Sequence, residues 1–63
     1  MSVDQIDELD RQIALVETNL ATLKNETDAL EPGHPALLRL QAIIRIAEGD
    51  LGRMRARRAQ LLG

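Results

Sequence analysis

Cysteine is absent from this chain, so neither the disulfide staple of small secreted domains nor a thiolate metal site is open to it. Phenylalanine, tyrosine and tryptophan are absent as well. Any core must come from Leu, Ile, Val, Ala and Met, an aliphatic set that suits a helical bundle or coiled coil. The same gap removes the aromatic platform on which single-stranded bases stack. No apolar run approaches the roughly eighteen residues of a membrane span, and the acidic N-terminus lacks the basic region of a secretory leader. These gaps point to a cytoplasmic protein without membrane contact.

Chemistry-bearing side chains are equally sparse. His34 is the only histidine and Ser2 the only serine, and they stand far apart in the sequence. A metal site normally needs three or four convergent ligands, and nucleophilic catalysis needs a base beside its nucleophile. The carboxylates are numerous, but their spacing puts them on solvated helix exteriors without a pocket. There is no glycine-rich phosphate loop. The expectation is a chain with no enzymatic activity, no cofactor, no metal and no small-molecule substrate, with His34 serving a turn or cap.

What the chain does contain is 44% apolar and 29% charged residues in a length of 63. That is too apolar for a generic disordered tail, and too short to bury a large core unaided. A partner is therefore expected to complete the burial. Charge is divided unevenly: residues 1–31 hold eight acids and two bases, residues 32–63 six bases and two acids.

The strongest punctuation is Glu31-Pro32-Gly33-His34-Pro35, which no continuous helix tolerates. Before it, Ile6, Leu9, Ile13, Val16, Leu20, Leu23, Thr27 and Leu30 recur alternately three and four apart. After it, Leu37, Leu40, Ile44, Ala47, Leu51, Met54, Arg58 and Leu61 do the same. Both are heptad series. Folding between Gly33 and His34 pairs Leu30 with Leu37, Leu23 with Ile44, Leu20 with Ala47, Val16 with Leu51, Ile13 with Met54 and Ile6 with Leu61. Two further layers are part polar, Thr27 with Leu40 and Leu9 with Arg58. In every pair the residue numbers add to 67. The fold class expected is all-α: a single antiparallel two-helix coiled-coil hairpin, dimerising into a four-helix bundle. Helix one should cover about 3–30, the turn 31–35 and helix two about 35–62.

Finer expectations follow. Ser2 with Gln5 has the spacing of a capping box, and Pro35 suits the first helical position of helix two. Val3 and Leu62 should close the open end. Asp10 and Arg55 should face each other, Glu17 should oppose Glu48 unfavourably, and Arg58 should reach along the seam towards water or Asp10. Off the seam, Leu38, Ile43, Ile46, Gly49, Gly52 and Ala56 form a candidate partner face, because a glycine inside a helix costs about 1 kcal/mol and asks for a reason. The segment Arg53, Arg55, Arg57 and Arg58 is a candidate nucleic-acid contact through phosphate neutralisation, set against an acidic strip on the neighbouring helix.

Ile6-Asp7-Glu8-Leu9-Asp10-Arg11-Gln12-Ile13 resembles the opening helix of the all-helical chorismate mutases. That resemblance implies substrate-binding arginines at positions occupied here by Val3 and by Leu20-Ala21, and a third helix that this chain lacks. The enzyme reading is set aside. The functional expectation is a protein–protein interaction module: a self-associating hairpin acting as a small adaptor, structural protein or cochaperone. Its partners are a second copy and a helix of another protein. The alternative is a nucleic-acid regulator using the arginine segment.

Overall fold

The computed structural model describes residues 3–63, and Ser2 with its proposed cap lies outside them. Two helices, α1 (Val3–Ala29) and α2 (Leu37–Leu62), pack against each other as a hairpin measuring 48 × 15 × 12 Å. Their apolar spacing supplies the reason: residues three and four apart share one helix face, and each helix has one such stripe to cover.

The turn is made of two successive reversals. His34 N–H donates to the Glu31 carbonyl at 3.0 Å, with Pro32 and Gly33 as the central residues and Gly33 at φ 85°. Proline followed by a residue of positive φ is a type II turn, and glycine adopts that φ without a Cβ penalty. Leu37 N–H then donates to the His34 carbonyl at 3.0 Å, around Pro35 and Ala36. Ala36 at φ −77°, ψ −13° has the geometry of the third residue of a type I turn. Pro35 therefore belongs to the turn, and α2 starts at Leu37, two residues later than the proline rule suggests. The second reversal takes up the residues that a helical first turn would have used.

The His34 side chain helps this start, since the Ala36 N–H donates to its Nδ1 at 3.0 Å. At the far end of α1, Leu30 N–H closes onto the Thr27 carbonyl at 3.2 Å, a tightened last turn before Pro32. The Gly63 N–H donates to the Ala59 carbonyl at 2.9 Å to finish α2.

Leu9, Ile13, Leu20 and Leu51 are buried and form one cluster, with Val16, Ile44, Ala47, Met54 and Leu61 packed against it. Ile6, Leu23, Thr27, Leu30, Leu37, Leu40 and Arg58 are half-buried. Thr27 satisfies its hydroxyl within the helix, donating to the Leu23 carbonyl at 2.8 Å. Val3 and Leu62 are 71% and 54% exposed, so they do not close the open end. Each sits beside a seam position instead of on it, and its helix turns it outward.

Candidate interaction surface

The two sides of the seam differ. On one side, positions 10, 17 and 24 of α1 lie beside the flank positions 48 and 55 of α2 and the seam position 58, and ion pairs join them throughout. Arg58 donates to Asp10, Arg55 donates to Glu17 at 2.7 Å, and Lys24 lies 3.5 Å from Glu48. Partners advance along α1 while they retreat along α2, as an antiparallel register requires. The hydrogen bond to Asp10, and then the carboxylate charge, raise the Arg58 guanidinium above its usual pKa.

These pairings correct two expectations. Asp10 takes Arg58, as expected of its reach along the seam, and Arg55, expected to face Asp10, is drawn to Glu17 instead. Glu17 and Glu48 each gain a cation, so their opposition is relieved. The long arginine and lysine stems reach across one helical turn, a freedom that position-by-position matching does not capture.

On the opposite side, positions 5, 12, 19 and 26 of α1 flank positions 43, 50 and 57 of α2. The residues there are Gln5, Gln12, Asn19 and Glu26 against Ile43, Asp50 and Arg57. No ion pair joins the helices on this side among the described residues. Burial does not follow the division: Leu9 leans to this side and is buried, as Ile13, Leu20 and Leu51 are on the bridged side, while half-buried seam residues stand on both, Val16, Leu23, Met54 and Leu61 on this side and Ile6, Thr27, Leu37 and Ile44 on the other. Open grooves reflect the division. Glu17, Leu20, Lys24, Glu48, Leu51 and Arg55 contribute to one, and Gln5, Leu9, Gln12, Met54, Arg57 and Leu61 to the other.

Of the candidate partner face, five residues share the exposed back of α2 and one does not. Leu38, Ile46, Gly49, Gly52 and Ala56 are exposed around the back of α2, while Ile43, 41% exposed, stands at the edge of the open side. A Cβ at Gly49 would meet only the Arg53 guanidinium at 3.7 Å, and at Gly52 nothing within 4 Å, so no backbone of the hairpin itself requires either glycine. Of the four arginines in the basic segment, Arg53 pairs with Asp50, Arg55 with Glu17 and Arg58 with Asp10. A phosphate there would compete with carboxylates already in place.

What sequence reasoning missed is the row of amides. The available signal was the lack of charge at Gln5, Gln12 and Asn19, one flank of a helix that is otherwise heavily acidic. Among the described residues no group of metal-ligating side chains gathers, and no helix is long and apolar enough to cross a membrane. No protein-family model matches the chain, and no curated protein or solved structure gives a significant match.

Proposed function

We propose that this chain is a non-enzymatic interaction module whose hairpin self-associates, forming a four-helix bundle in the role of a small adaptor, structural protein or cochaperone. One observation carries the reading. The hairpin exposes 4811 Å², against about 4,000 Å² for an average folded monomer of its 7.0 kDa mass. The excess, about 800 Å², matches what one partner contributes to an interface of standard size. Only four side chains are buried among the described residues, so the seam alone gives little hydrophobic stabilisation.

Sedimentation equilibrium tests this directly: at micromolar chain concentration the mass should be twice 7.0 kDa. The Leu51→Asp variant should lose helicity and association together, because the charge lands in the buried seam. A well-folded monomer at that concentration, or association retained by an unfolded variant, overturns the reading.

A further inference from the structure

We infer that the second copy docks on the open side of the hairpin, where no ion pair crosses between the helices among the described residues, about a two-fold axis parallel to the long axis, so that both turns lie at the same end. The inference rests on the self-association proposed above and says where and how it occurs. The occupant is a second copy because the surplus area is that of one half of a standard interface, and because the chain's charges complement each other in this arrangement alone.

Three observations locate the face. The bridged side is already occupied by Asp10–Arg58, Glu17–Arg55 and Lys24–Glu48, and a helix laid there would have to desolvate or break those pairs. The open side offers half-buried aliphatic residues and Ile43, with Gln5, Gln12 and Asn19 beside the charged Glu26, Asp50 and Arg57, and among the described residues no ion pair there ties one helix to the other. The small-residue back of α2 carries no groove of its own among those described above.

Charge sets the orientation. With the axis along the hairpin, α1 of one copy lies against α2 of the other, and acidic and basic helices alternate around the bundle. With the axis across the hairpin, α1 lies against α1, and acid meets acid within a Debye length of about 10 Å. A lengthwise two-fold leaves height unchanged, so the mirror register within one hairpin also holds between copies. Glu26 then comes within about 3 Å of the height of Arg39 of the partner subunit, and Glu8 of Arg57 of the partner subunit, two residues of helical rise. Glu26, Arg39 and Arg57 hold no ion pair within the hairpin among the described residues. The crosswise arrangement instead brings Glu26 to the height of Gln5 and Glu8 of the other copy.

The experiment uses the full chain. Absence of native cysteine lets single cysteines be introduced cleanly. Spin labels on Glu31→Cys, an exposed turn residue, should lie about 20 Å apart, roughly two helix diameters, whereas turns at opposite ends would be separated by most of the 48 Å length. Ile43→Asp should raise the dimer dissociation constant roughly a hundredfold, about tenfold for each copy of the substitution, with helicity retained in circular dichroism. Leu38→Asp, on the back of α2, should leave the constant unchanged. A monomeric wild-type chain overturns both the inference and the self-association behind it, leaving the open side to a helix of another protein. A dimer with separated turns overturns the orientation alone. A dimer indifferent to Ile43→Asp but weakened by Leu38→Asp overturns the choice of face alone.

Discussion

Truncating Leu20 to alanine tests whether the seam holds the hairpin together. Leu20 is 5% exposed and lies in the layer opposite Ala47, whose single methyl cannot move in to fill the space. Truncation of a buried leucine costs about 2–5 kcal/mol, more where the site cannot collapse. A slender hairpin relaxes more readily than a thick core, which places the expected loss at about 3 kcal/mol per chain. Urea unfolding followed by circular dichroism is the assay, at one fixed chain concentration because association and folding are linked. With a slope near 1 kcal/mol per molar urea for a chain of this size, the midpoint should fall by about 3 M. Leu38→Ala is the matched control: the same atoms are removed from a side chain 80% exposed, and the loss should stay within about 0.5 kcal/mol. Equal losses for the two variants would refute the reasoning, since they would mean that burial along the seam is not what distinguishes these leucines.

Other outcomes follow from the turn and from α2. Gly49→Ala and Gly52→Ala should each stabilise by about 1 kcal/mol in the same assay, because a Cβ has room at both sites; a weakened dimer would instead reveal a partner backbone against that face. Gly33→Ala should destabilise by about 1–2 kcal/mol, since its φ of 85° strains any side chain. His34→Ala should cost about 0.5–1 kcal/mol by orphaning the Ala36 N–H, and His34→Asn, which can accept the same bond, should restore most of the loss.

The hairpin was legible in the sequence because two kinds of signal agreed: prolines and a glycine that forbid a continuous helix, and two heptad stripes that mirror each other about them. The details that escaped have local causes. Pro35 obeys a helix-start preference in general, but here a second reversal around Pro35 and Ala36 delays α2 to Leu37. Val3 and Leu62 are apolar and terminal, yet helical phase turns them away from the seam. The reach of Arg58 to Asp10 was legible, but the pairing of Arg55 with Glu17 depends on where long flexible side chains come to rest. The difference between the two sides of the seam emerges only from which ion pairs cross between the helices, since neither heptad series by itself ranks one flank above the other.

The mirror register also governs the order in which the chain comes together. Leu30 and Leu37 are seven residues apart in sequence, whereas Ile6 and Leu61 are fifty-five apart. Closing the outermost layer first would cost about 1.8 kcal/mol more loop entropy than closing the innermost. Once an inner layer stands, each following layer closes only a few additional residues. The Pro32-Gly33 reversal is therefore the nucleus of a zipper: substitutions near it should slow folding, while those at Ile6 or Leu61 should mainly hasten unfolding, because the tips of the helices are the last to join and the first to part.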